Sequence, residues 1–162
     1  MIERLLQLYL HDFSELAPRH SIYGEVDADG LFPYPPGLDG YWREPDREPL
    51  LIRADSAVAG FVLLHRWSAL DRPVDHAVAE FFILRKYRRA GVGTRAALQV
   101  FRDRSGQWEV AVAGYNPAAQ LFWRCVVQAL PGGASEHHGD GRRWSGPVLA
   151  FDSPGPSGLA LP

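Results

Sequence analysis

The stretch from Ala77 to Gly114 constrains the fold of this chain more than any other. "AVAEFFIL" (77–84) is a short apolar run of strand-forming residues, "TRAALQVFRDR" (94–104) repeats its apolar positions at helical spacing, and "WEVAVAG" (108–114) returns to strand-like composition. Strand, helix and strand in so short a span make a βαβ unit, and a helical crossover of that kind joins parallel strands. Between the first strand and the helix, "RKYRRAGVG" sets Arg85, Lys86, Arg88 and Arg89 beside Gly91 and Gly93.

The flanking segments predict antiparallel partners for this unit. Ile2, Leu5, Leu6, Tyr9, Phe13 and Leu16 are spaced for an amphipathic helix over 2–16, with Pro18 as its stop. Residues 18–49 are rich in Pro, Gly and Asp and predict an irregular segment with one helical turn near Leu38 to Trp42. Its aromatics (Phe32, Tyr34, Tyr41, Trp42) argue that it is ordered, and a loop of that length in a compact domain is usually functional. "LLIRA" and "AVAGFVLLHR" flank Asp55-Ser56 as a hairpin ending near Arg66. Asn116 is placed as an N-cap with Pro117 at the first helical position, and the apolar face of that helix is expected to be Ala118, Phe122, Cys125 or Val126, and Ala129. "RRWSGPVLAF" predicts the last strand. The fold class is α+β: a mixed, mostly antiparallel sheet with one parallel crossover, as one domain over 1–152 with 153–162 as a flexible tail.

At 162 residues, with 46% hydrophobic and 22% charged residues, the chain has the balance of an ordinary globular domain, which excludes a disordered or fibrous class. The net charge of -2 conceals an asymmetry: residues 1–55 carry eleven acids and five arginines, whereas 85–104 carry seven bases and one acid. A positive segment that short suggests a local anion site rather than a nucleic-acid surface, with a solvated helix face as the plain alternative. The lone Cys125 cannot pair internally, no apolar run reaches the ~20 residues a membrane span needs, and Glu3 and Arg4 interrupt the first ten residues. The expected location is cytoplasmic, with no membrane partner. His137 and His138 lack a third ligand at suitable spacing, so no metal is expected.

Three phosphate-binding patterns compete for "RRAGVGTRAA". The P-loop fails because no lysine follows either glycine. Gly91, Gly93 and Ala96 satisfy G-x-G-x-x-G/A formally, but six residues separate the strand from the first glycine and no acid ends the next strand, so the dinucleotide pattern fails too. What remains is a strand, a basic stretch, R-x-x-G-x-G and a helix. Glycines turn backbone N–H groups outward, the helix start adds unpaired donors, and Arg88 and Arg89 supply charge, which together suit a pyrophosphate.

"EFFILRKYRRAGVGTRAAL" resembles the acetyl-coenzyme A binding motif of the GNAT acyltransferase superfamily, [QR]-x-x-G-x-[GA], through Arg88, Gly91 and Gly93, with Thr94 opening the helix. "NPAAQLFW" resembles the family's N-x-x-A-x-x-[LF]-Y through Asn116, Ala119 and Phe122, and the order of elements agrees over about residues 2–151. The resemblance implies a three-layer domain with helices on both faces of the sheet. It also implies acetyl-CoA as cosubstrate and direct transfer to an amine acceptor, small molecule or peptide, in a monomer or homodimer. Phe82, Ile83, Leu84 and Arg85 would then face the pantetheine, and an N–H near Ile83 to Arg85 would polarise the thioester. Arg88, Arg89, Ala90, Gly91, Val92, Gly93 and Thr94 would hold the pyrophosphate. Glu80 is the candidate base, or else an outward or ion-paired glutamate; Asn116 is a cap, a cofactor contact or both. Trp123 stands where relatives often carry a proton-donating tyrosine, and is expected beside the pantetheine or in the core. Arg85 departs from a common proline, and "VVQALPGG" lacks the usual G-F. Tyr34, Trp42 and Asp12 are the candidate acceptor contacts. A non-catalytic acyl-CoA sensor is the alternative reading, and a nucleic-acid-binding domain using the basic loop a weaker third.

Overall fold

The computed structural model describes residues 1–16 and 24–156. Helix α1 (Ile2–Ser14) leads into a long connection containing a 3-10 turn, Asp39–Trp42, where a helical turn is predicted. The strands β1 (Glu48–Ala54), β2 (Ala57–His65) and β3 (His76–Ile83) follow, then α2 (Val92–Arg102), β4 (Ser105–Ala111), α3 (Pro117–Gln128), β5 (Ser135–His138) and β6 (Pro147–Pro154). The strands form one six-stranded sheet in the order β1-β2-β3-β4-β6-β5. Every neighbouring pair is antiparallel except β3–β4, so the predicted crossover is the parallel element in the sheet.

Local chemistry accounts for several of these elements. The β1–β2 turn is two residues, Asp55 and Ser56, both with positive φ, the backbone that matches strand twist in a tight hairpin. The α3 cap is as the sequence predicts: Asn116 Oδ1 accepts from the Ala119 N–H at 3.0 Å, and Pro117 occupies the first turn. Helices lie on both faces of the sheet. On one face α1 packs Ile2, Leu5, Leu6 and Leu10 onto Phe61, Leu63 and Phe82. On the other, α2 and α3 bring Phe101, Trp123 and Val126 against Trp108, Val110 and Phe151. Each large apolar side chain withdrawn in this way contributes about 1.5–3 kcal/mol.

The structure corrects the readings of five elements. The buried face of α3 is Trp123, Val126 and Val127, with Phe122 half-buried, whereas Ala118, Cys125 and Ala129 are exposed. Here the helix lies over the Phe81–Phe101 aromatic cluster, and Trp123 is its anchor, touching both rings. "SEHH", to which the sequence reading assigns no strand, is strand β5, all of it exposed and held by pairing to β6. β6 starts at Pro147 rather than Arg142 and continues through Ser153 and Pro154 of the expected tail, with Ser153 Oγ donating to Phe101 O at 2.6 Å. Helix α1 ends at Ser14, two residues early, and α2 begins at Val92, two before Thr94. Pro18 and tail residues 157–162 lie outside the described residues.

Candidate functional site

Strands β3 and β4 pair at only three positions, His76–Trp108, Ala77–Glu109 and Val78–Val110. Beyond them β4 stops at Ala111 while β3 runs on to Ile83, still paired to β2. The two strands part, and the edge of β3 opposite β2 faces a cavity of about 620 Å³. Its walls are β3, the arginine-glycine loop, the start of α2, the first two turns of α3 and the C-terminal half of α1.

Of the predicted cofactor residues, Phe82, Ile83, Arg85, Arg88, Arg89, Gly91, Gly93, Thr94, Asn116 and Trp123 line this cavity. Leu84, Ala90 and Val92 do not. Leu84 donates its N–H to Ala59 O at 2.8 Å and packs toward α1, Ala90 O accepts from Arg95, and Val92 is buried. Gly91 caps α2 with φ of 73°, and a Cβ there would lie 2.8 Å from the Arg95 guanidinium. The first intrahelical bond runs from Arg95 N to Gly91 O, leaving the earlier N–H groups of α2 as donors at the cavity wall. Gly93 lets this turn approach Ile83 and Phe122, since an added Cβ would meet both at 3.4 Å.

Asp12 of α1 reaches into the basic loop. It accepts from Arg85 Nε at 2.9 Å and bonds the Arg88 guanidinium, while Arg88 Nε donates to Ile83 O at 2.7 Å. Burial pulls the Asp12 carboxyl upward, but the two arginines outweigh it and hold it below the usual carboxylate value. Asp12 therefore lies on the cationic loop rather than in the open part of the cavity.

Glu80 projects from β3 toward the α1 face. Tyr34 donates to its Oε1 at 3.1 Å, and the Tyr9 hydroxyl is the other group that stabilises its charged form. Burial outweighs both and pushes Glu80 up to about 7. Burial, and then Glu80 itself, lifts Tyr9 well above the ordinary phenol value and Tyr41 to about 12. The loop carrying Tyr34 is pinned to α1 by Gln7, whose side-chain amide bonds both the N–H and the carbonyl of Phe32, at 2.8 and 3.1 Å. Trp42 is elsewhere. It is exposed beside Met1, Glu3, Asp39 and Arg43 at the opposite end of α1, so Tyr34, Trp42 and Asp12 are not gathered into one place.

Sequence reasoning missed Tyr9, Phe81 and Phe122 as cavity residues. The available signal was a phenol on an otherwise apolar helix face, one turn before Phe13. Trp123 is buried against Phe81 and Phe122 and also lines the cavity.

The acetyltransferase (GNAT) family model matches residues 2–125. Among solved structures, an acetyltransferase from Thermus thermophilus superposes with a TM-score of 0.64 at 16% identity, over 93% of this chain and 90% of that one. A GNAT-family acetyltransferase from Staphylococcus aureus superposes with a TM-score of 0.56 at 13% identity, over 93% and 92%. No curated protein matches in sequence. At these identities the superpositions speak for the fold alone, a mixed sheet between helical layers. The family match, spanning the basic loop, the cavity and most of α3, carries the assignment: the chain belongs to the GNAT acetyltransferase family, which implies acyl transfer from coenzyme A.

Proposed function

We propose that this protein transfers an acetyl group from acetyl-CoA to a primary amine by direct attack, with both substrates bound together. The observation that carries this reading is one cavity bounded by the α2 donors and arginines at one end and by the unpaired edge of β3 in its middle, with Glu80 behind its α1 wall. The pyrophosphate would take the N–H groups of Gly93 and Thr94 together with Arg88 and Arg89, a donor set suited to an anion. The pantetheine amides would complete the hydrogen bonding of β3 around Phe82 and Ile83, as an added strand does at a sheet edge. A backbone N–H near Ile83 would polarise the thioester carbonyl.

The acceptor amine arrives mostly protonated, with a pKa of ~10.4 for a lysine-like group. Glu80 is suited to receive its proton because burial lifts the carboxyl to about 7, close to neutral operating pH. Trp123 has no titratable proton to give the thiol, but a thiol of pKa ~8.5 leaves readily as thiolate. The single exposed Cys125 fits a reducing, cytoplasmic setting.

Calorimetric titration of acetyl-CoA against the wild type and Gly91→Trp tests the assignment. The wild type should bind and the variant should not, because an indole at that position collides with Arg95 and fills the loop. No binding to the wild type would end the proposal. Binding with no turnover across a panel of amines would favour a non-catalytic acyl-CoA sensor.

A further inference from the structure

Glu80 is well placed to hold a proton and badly placed to collect one. Among the described residues that line the cavity it is absent, while Tyr9 is present and is the only phenol. The Tyr9 ring is fixed by Phe13, Phe61 and Phe82, with centroids 5.6, 6.1 and 5.9 Å away, and its hydroxyl is one of the two that stabilise the Glu80 carboxylate. Tyr9 thus touches the cavity on one side and the carboxylate on the other. Tyr34, although hydrogen-bonded to Glu80, does not line the cavity. Asp12 does, but it is already committed to Arg85 and Arg88. Glu15 stands on the exposed turn after α1.

We propose that Tyr9 is a catalytic residue that carries the acceptor's proton from the cavity to Glu80; the inference rests on the assignment of Glu80 as base. The ammonium of the acceptor gives a proton to Tyr9 Oη as the Tyr9 hydroxyl proton passes to Glu80. The freed lone pair on nitrogen forms the C–N bond to the thioester carbon, and the C–S bond breaks with its electron pair on sulphur. The second proton lost by nitrogen ends on that sulphur, and Glu80 later returns the first to solvent. Each cycle leaves Tyr9 as it began. A relay of this kind needs a phenol that stays neutral, able to accept at oxygen while donating its own hydrogen. Burial and the neighbouring carboxylate enforce that state by lifting the Tyr9 pKa well above the ordinary value. Among the described residues, the titratable groups facing the pair are the phenols of Tyr34 and Tyr41 from the loop and of Tyr115 before α3. None of these titrates near neutrality as a free side chain, so an acid limb near pH 7 belongs to Glu80.

The test compares the full chain with its Tyr9→Phe, Tyr34→Phe and Glu80→Gln variants, following thioester loss from acetyl-CoA with spermidine, tyramine, lysine methyl ester or no amine. Tyr9→Phe keeps every ring contact. It should lower kcat by about tenfold or more and abolish the acid limb, leaving a rate that rises with the free-amine fraction, while acetyl-CoA affinity is unchanged. Tyr34→Phe should retain the limb but move it to higher pH, because one bond that favours the charged carboxylate is gone. If Tyr9→Phe keeps both the limb and the rate while Glu80→Gln loses them, the relay is wrong and the base stands. If Glu80→Gln also keeps them, or if the wild type consumes no thioester beyond a protein-free control, both fall.

Discussion

Two glutamates sit on the neighbouring parallel strands, and their surroundings separate a carboxylate saturated by hydrogen bonds from one that burial lifts to about 7. Glu109 of β4 is 1% exposed and saturated: Ser68 Oγ lies 2.9 and 3.0 Å from its two oxygens, the Ala69 N–H donates at 2.9 Å, and Arg72 Nε donates at 2.9 Å. Among the described residues, the groups that stabilise the charged form of Glu80 on β3 are neutral phenols, Tyr9 and Tyr34. A cation and a backbone donor fix one carboxylate in place and tie down the segment after β2. A ring of tyrosines leaves the other able to exchange a proton near neutral pH. The environment, rather than the residue type or the strand, sets the two carboxylates apart.

The comparison breaks if the two residues respond alike to substitution. Glu80→Gln should cost about 10²–10⁴-fold in kcat while leaving acetyl-CoA affinity intact by calorimetry, whereas Glu109→Gln should reduce kcat per folded molecule far less. Stability should invert the order. Glu109→Leu strands the Ser68 hydroxyl, the Ala69 N–H and Arg72, and should lower unfolding stability in urea by about 2–4 kcal/mol.

Titration sharpens the contrast. Below its ordinary value of 4.5 Glu80 is protonated in both the folded and unfolded chain. Between 4.5 and about 7 the unfolded chain releases the proton and the folded chain keeps it, so stability falls as pH rises through that window, and above it the loss is complete. Glu80→Gln removes the effect. Its Tm should exceed that of the wild type by more at pH 8 than at pH 5, with a stability gain on the order of 2 kcal/mol. The smallest expected effect is at the α3 cap, where Asn116→Ala should lose about 1 kcal/mol.

Periodicity and punctuation in the sequence were sufficient for the parallel crossover, the Asp55-Ser56 hairpin, the 39–42 turn and the Asn116 cap, because each is local. Strand β5 was illegible for a physical reason: its four residues are all exposed, so burial imposes no alternation, and only the backbone of β6 makes it a strand. The face of α3 was misread because the aromatic cluster it meets comes from β3 and α2, distant in sequence. The arginine-glycine loop could be read from spacing, yet the Asp12 bridge across it could not, since 73 residues separate Asp12 from Arg85. Tyr9 was hidden among core positions because its ring does belong to the core; its hydroxyl alone turns to Glu80.

The three-position contact between β3 and β4 has a mechanical consequence. It welds two three-stranded plates, β1–β3 and β4–β6, along a seam far shorter than the six or seven paired positions that hold β1 to β2, β2 to β3 and β4 to β6. A ligand whose amides bridged the open part of that seam would act as mortar between the plates. Its arrival would then register as a sharper and later melting transition of the whole sheet, as expected when binding favours only the folded state.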